Sequence, residues 1–63
     1  MNTFYDVLQL LKRHGTIIYT KDRALDLALM EEEVRELHSW GLIDKTVFQQ
    51  ALLILRKELK QAE

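Results

Sequence analysis

The sequence contains no cysteine and no proline, and it has only two glycines. Without cysteine there is neither a disulfide nor a thiolate-bound zinc, so a core this small must be supported by helix packing or self-association. No apolar stretch approaches the ~18 residues that a membrane-spanning helix needs. No basic segment followed by an apolar run marks an export signal at the N-terminus. We therefore expect residues 1–63 to form a single soluble, cytoplasmic domain.

Groups that could carry chemistry are equally sparse. The only serine is Ser39, and the two glycines are far apart, so there is no phosphate-binding glycine loop. His14 and His38 have no second histidine at metal-ligand spacing. Four glutamates (Glu31, Glu32, Glu33 and Glu36) fan around more than half of a helix and do not converge. With little room for a ligand pocket of ~300 Å³, we expect no enzyme, no cofactor, no metal and no small-molecule substrate.

The net charge of −1 hides a segregated charge distribution. Four cations and one anion lie between residues 12 and 23, whereas five anions and one cation lie between residues 26 and 36. Three further cations and one anion lie between residues 56 and 60. This pattern predicts a dipolar surface, which is more informative about partners than the total.

Apolar residues recur at helical spacing in three segments, which predict helices near residues 4–14, 22–40 and 45–61. Each segment begins at a residue that can act as an N-cap: Thr3, either Thr20 or Asp22, and Asp44. Asp6 is placed to complete a capping box with Thr3. Gly15 and Gly41 are placed to end the first two helices, and we expect a positive φ at Gly15.

The apolar stripes predict an all-α, compact three-helix bundle. The second and third helices should form an antiparallel hairpin, with the first helix laid across it. The stripe of the second helix is Leu27, Met30, Val34 and Leu37, and that of the third is Phe48, Ala51, Leu52, Leu55 and Leu59. Four more apolar residues make the first half of the second helix apolar nearly all round: Ala24, Leu25, Ala28 and Leu29. Such a helix is usually buried on more than one side.

Residues 16–19, which we call the strap, are the only stretch with β-strand character. Three β-branched residues and a tyrosine follow Gly15 there. A lone strand has no partner for a sheet, so we expect the strap to be extended and unpaired. Either Ile17 or Ile18 should anchor it on the core, with the alternate side chains facing outward.

Three stretches, "NTFYDVLQLLKRHGTIIYTKDR", "LMEEEVRELHSWGLID" and "ALLILRKE", resemble the YqgQ-like family of short cytosolic proteins from Gram-positive bacteria. The resemblance covers nearly the whole chain, and Gly-Thr-x-Ile-Tyr-Thr is its most specific part. It implies a compact three-helix domain and carries over no catalytic residue. It also implies a glycine at the position that Lys21 occupies here.

The basic residues are interleaved with aromatic residues. Single-stranded nucleic acid requires this combination, because phosphates pair with cations and bases stack on exposed rings. The candidate contact residues are Tyr5, Lys12, Arg13, Tyr19, Lys21, Arg23, Arg56, Lys57 and Lys60. The near-neutral net charge weighs against this reading, since dedicated nucleic-acid binders are usually basic. Surface cations and half-buried tyrosines are also ordinary features of a helical domain.

Apolar residues outside the main stripes favour a different function. They are Leu25, Leu29, Trp40, Val47, Leu53 and Ile54. If they remain exposed, they form a patch large enough to mark a protein interface. The alternative is therefore a protein–protein interaction module or a homodimerising adaptor, and a symmetric dimer would also compensate for the small core.

Overall fold

The computed structural model describes residues 1–62 of the chain. It contains α1 (Phe4–Arg13), α2 (Arg23–Ser39) and α3 (Lys45–Ala62), and no strand among the described residues. The predicted helix positions are confirmed to within about a residue at each end. None of the three helices is both long and apolar enough to cross a membrane.

The start of α1 is the predicted capping box. The Thr3 hydroxyl accepts a hydrogen bond from the Asp6 backbone N–H at 3.3 Å. In return, Asp6 Oδ2 accepts from the backbone N–H of Asn2 at 2.9 Å and of Thr3 at 3.1 Å. The hydrogen bond from the Asn2 N–H has the largest effect, and the bond from the Thr3 N–H is next. Both stabilise the carboxylate and hold the pKa of Asp6 below its ordinary value.

α1 is terminated by the turn at Gly15. Its φ is positive, as predicted, at +84°. Its N–H donates to the Lys12 carbonyl, and the Thr16 N–H donates back to the Leu11 carbonyl at 2.9 Å. The two bonds satisfy carbonyl groups that the last helical turn leaves without partners. A Cβ at Gly15 would meet nothing within 4 Å, so only the backbone conformation requires glycine here.

The other two helices begin at aspartates. Asp22, rather than Thr20, is the N-cap of α2, and its Oδ1 accepts from the Leu25 N–H at 3.2 Å. Asp44 Oδ1 accepts from the Val47 N–H at 2.8 Å at the start of α3, as predicted. Both carboxylates also interact favourably with the positive end of the helix dipole.

α2 and α3 are the most closely packed pair, and they run antiparallel. His38 stacks on Phe48 with ring centroids 4.2 Å apart near the turn between the helices. Towards the other end, Glu31 Oε1 lies 3.8 Å from the Arg56 side chain. The end of α2 therefore contacts the start of α3, and an earlier part of α2 contacts a later part of α3. This order of contacts confirms the predicted hairpin.

The core lies where the three helices meet. Its buried apolar residues are Val7, Leu10, Leu11, Leu27, Met30, Val34, Leu37, Ile43, Ala51, Leu52 and Leu55. The first half of α2 is buried on more than one side, as expected, although Ala24, Leu25 and Ala28 remain exposed. α3 covers one side of α2, and α1 with the strap covers another. No further described element is left to cover the third side.

Lys21 is the one non-glycine residue with a positive φ among the described residues, at +70°. The glycine implied by the family resemblance fits this conformation without strain, whereas an L side chain in the left-handed region costs ~1–2 kcal/mol. Lys21→Gly removes that strain from the folded state. It also raises the conformational entropy of the unfolded chain, which lowers the stability by ~0.5–1 kcal/mol. We expect a net gain of up to ~1 kcal/mol in the free energy of unfolding, measured by urea denaturation. A glycine variant less stable than the wild type would contradict it.

Candidate nucleic-acid interface

The strap alternates between inward and outward side chains. Ile18 is half-buried and packs against the core, so it is the anchor, and Ile17 is not. Ile17 and Tyr19 are 80% and 75% exposed. Because successive side chains of an extended segment point to opposite sides, fixing Ile18 inward sends both of its neighbours into solvent.

Two threonines fix the strap at either end. Thr16 Oγ1 donates to Glu33 Oε1 at 3.1 Å, and Thr20 Oγ1, immediately after the strap, donates to Asp26 Oδ1 at 2.6 Å. Asp26 and Glu33 are two helical turns apart and therefore share one face of α2. The strap thus runs antiparallel to α2, held by a hydrogen bond at each end and by Ile18 between them.

The backbone of the strap is extended and forms no sheet. The Thr16 N–H donates to the Leu11 carbonyl of α1, and the Thr20 N–H donates to Asp26 Oδ1 at 2.7 Å. Within the described part of the chain, no hydrogen bond joins the backbone groups of Ile17, Ile18 or Tyr19 to another residue. The predicted unpaired geometry is confirmed.

A solvent-open hollow of about 370 Å³ lies beside the strap, at the N-terminal end of α2. We call it the strap hollow. Its lining residues are Phe4, Leu8, Ile18, Tyr19, Lys21, Arg23, Asp26 and Met30. It has more room than the chain length suggested, and its volume is that of a small ligand pocket. Apolar walls, two cations and a carboxylate therefore surround one depression.

A second hollow of about 300 Å³ separates the strap from the middle of α1. Lys12, Gln9 and Ile17 line it, and it shares Ile18 and Leu8 with the strap hollow. The two depressions therefore adjoin at the anchored isoleucine. Tyr19 and Lys21 line the strap hollow, and Lys12 lines the second hollow.

The remaining cations of the predicted site divide into two groups. Arg23 is engaged within the protein, because its guanidinium lies 4.4 Å from the Phe4 ring centroid and pairs with Glu58 at 3.0 Å. Arg56 lies 3.8 Å from Glu31. Lys57 and Lys60 are exposed on α3 and line neither hollow. Arg13 and Tyr5 are also exposed and line neither.

Asp26 is the feature that the sequence interpretation missed. It was counted as one of several surface acids, yet it is the one buried charged residue described, with 6% of its surface exposed. A signal was present, because Asp26 is one turn before Met30 and so shares the buried side of α2. Phe4 packs against the core and is also the platform for Arg23.

No group of three or more histidine, aspartate or glutamate side chains within residues 1–62 is arranged to hold a metal ion. The acidic residues of α2 are used differently. Glu31 pairs with Arg35 at 3.2 Å, in the favourable i,i+4 order. Glu33 and Asp26 hold the strap.

The fold and this surface define a small three-helix-bundle protein with an anchored, extended connection between its first two helices. A family model described as YqgQ-like matches residues 1–61. The chain is also 48% identical over 63 residues to a Bacillus subtilis protein called "Uncharacterized protein YqgQ", covering all of this chain and 89% of that protein. The chain therefore belongs to the YqgQ-like family, as its resemblance implied.

Proposed function

We propose that this protein is a non-enzymatic, cytoplasmic binding protein that holds single-stranded nucleic acid on the strap and its flanking cations. One observation carries the proposal. Tyr19 presents an exposed ring from a segment whose position is fixed by Ile18 and by the hydrogen bonds of Thr20 to Asp26. Because the backbone that carries the ring is already held in place, a base that stacks on Tyr19 does not have to order the strap as well.

The charges around the ring support the same function. Lys12 and Arg13 lie at one end of the strap and Lys21 at the other. All three are exposed, and none forms a salt bridge with another of the described residues. Phosphate groups can therefore reach them without breaking an existing ion pair. Arg23 and Arg56 are weaker candidates, because a phosphate must compete with Glu58 and Glu31.

Tyr19→Ala is expected to weaken binding of short single-stranded oligonucleotides about 5- to 150-fold, because a stacking ring contributes ~1–3 kcal/mol per base. The measurement is fluorescence anisotropy with labelled DNA and RNA oligomers at low salt. Trp40→Ala is the matched control, since Trp40 is a similarly exposed aromatic (66%) at the opposite end of α2.

The control variant should bind like the wild type. If the Tyr19 and Trp40 variants lose affinity equally, the strap is not the stacking surface. If the wild type does not bind at low salt, the proposed function fails.

The second candidate is a protein-interaction module, and exposed apolar side chains on the helices favour it. Leu53 is 67% exposed and Leu25 is 47% exposed. However, Leu29, Val47 and Ile54 are half-buried, which makes the apolar surface smaller than the sequence suggested. Binding through such a surface resists added salt, whereas binding to phosphates does not.

A further inference from the structure

We propose that the strap hollow selects guanine, with Asp26 as the residue that reads the base. This inference rests on the proposed function and adds a base preference to it. Three independent observations meet at the hollow: a buried carboxylate with an unused oxygen, a strained lysine, and an apolar wall next to an exposed ring.

The carboxylate of Asp26 is only half used by the protein. Both hydrogen bonds from Thr20, from its N–H and from its hydroxyl, go to Oδ1, at 2.7 and 2.6 Å. No group of residues 1–62 donates to Oδ2. No described side-chain oxygen or nitrogen is buried without a partner, so Oδ2 is in contact with solvent. Asp26 is one of the residues that line the strap hollow, and we place Oδ2 there as the acceptor for a ligand.

The chemistry of a carboxylate distinguishes the bases. An ionised carboxylate accepts hydrogen bonds and cannot donate one. On its Watson–Crick edge, guanine presents two adjacent donors, N1–H and the 2-amino group. Adenine and cytosine place a ring acceptor beside their amino group, and thymine and uracil flank one N–H with two carbonyl oxygens. The free Oδ2 can accept from both guanine donors at once, whereas every other base would also turn an acceptor towards the carboxylate, so Asp26 favours guanine.

The rest of the hollow suits the ring and the phosphate of the same nucleotide. Phe4, Leu8 and Met30 provide apolar surface beside the carboxylate, and Tyr19 offers its ring at the margin. Aromatic stacking tolerates any base. The walls therefore add affinity, and Asp26 supplies the discrimination.

Lys21 provides the cation, and its backbone indicates that the side chain is used. Its φ of +70° is a conformation in which glycine is relaxed and lysine is strained. Backbone strain of this kind clusters at functional sites. A lysine here places an ammonium group at the hollow, where the phosphate attached to a bound guanine nucleotide can reach it.

The test uses four labelled oligonucleotides that are identical except for one central base, set in an otherwise thymine strand. We expect the guanine strand to bind about 5- to 150-fold more tightly than the other three by fluorescence anisotropy, because one mismatched base typically costs ~1–3 kcal/mol. Replacing guanine with inosine removes only the 2-amino donor and should lose a measurable part of that preference.

Asp26→Asn tests the protein side. Asparagine keeps the shape and one oxygen for Thr20, and it replaces the other carboxylate oxygen with an N–H₂ donor. We expect the variant to bind the four strands within about twofold of one another while still binding thymine strands. Its melting temperature shows whether it folds. If it does not fold, the comparison of guanine with inosine on the wild type decides instead.

The outcomes separate this inference from the proposed function. If all four strands bind the wild type equally well, or if guanine and inosine bind alike, the guanine assignment is overturned and strand binding stands. If no strand binds at low salt, both fail. Titration with free guanosine monophosphate, followed by NMR shifts at Asp26 and Tyr19, distinguishes a free nucleotide from a base within a strand. Shifts confined to other residues would overturn the assignment to this hollow.

Discussion

Leu55→Ala is expected to leave a large fraction of the protein unfolded. Leu55 is 2% exposed and lies in the centre of the only core among the described residues. Truncating a buried leucine to alanine costs ~2–5 kcal/mol, and a core of this size rarely provides more than ~3–5 kcal/mol of stability. One substitution therefore removes most of the stability margin. Far-ultraviolet circular dichroism across a urea titration measures the loss.

Leu53→Ala is the matched control on the same helix. Leu53 is 67% exposed, and exposed substitutions usually change the free energy of unfolding by less than ~0.5 kcal/mol. A large difference between the two variants is the expected result. Equal losses would mean either that Leu53 is buried in an assembly or that Leu55 is not in the core. Sedimentation of the wild type separates these two explanations.

The helices were predictable because their signals are local. The Thr3–Asp6 capping box, the aspartate caps and the turn at Gly15 each act within five residues of the chain. The heptad-like apolar stripes define the faces that meet in the core. Neither kind of signal needs knowledge of the tertiary structure, so both could be read directly from the sequence.

The register of the strap could not be predicted in this way. Ile17 and Ile18 are chemically identical, and shifting an extended segment by one residue exchanges its two faces. The choice depends on Thr16 and Thr20, which reach Glu33 and Asp26 only when Ile18 faces inward. These partners are apart in sequence, so the selection is a property of the folded chain.

Whether a cation is paired within the protein also depends on the tertiary structure. Arg23 looked equivalent to Lys21 in the sequence, yet it pairs with Glu58, which lies 35 residues away, and covers the Phe4 ring. Ion pairs between distant helices leave no pattern in a single sequence. The structure therefore reduces the predicted basic surface near the strap to the cations without such partners.

Simultaneous alanine substitution of Lys12, Arg13 and Lys21 is expected to abolish most of the affinity for single strands. If each cation contacts one phosphate, the wild type neutralises three. The logarithm of its affinity should then fall with the logarithm of salt concentration at a slope of roughly −2. The triple variant should show a slope near zero, because it no longer releases counterions. Anisotropy titrations from low to physiological salt measure both quantities.

A second triple variant separates the position of the cations from total charge. Alanine at Lys45, Lys57 and Lys60 changes the net charge by the same amount on α3, where Lys57 and Lys60 line neither hollow beside the strap. We expect this variant to keep most of the wild-type affinity and salt slope. Equal losses in the two variants would show that strands are attracted by the overall charge of the protein. Binding that survives both variants and is insensitive to salt would favour an apolar interface instead.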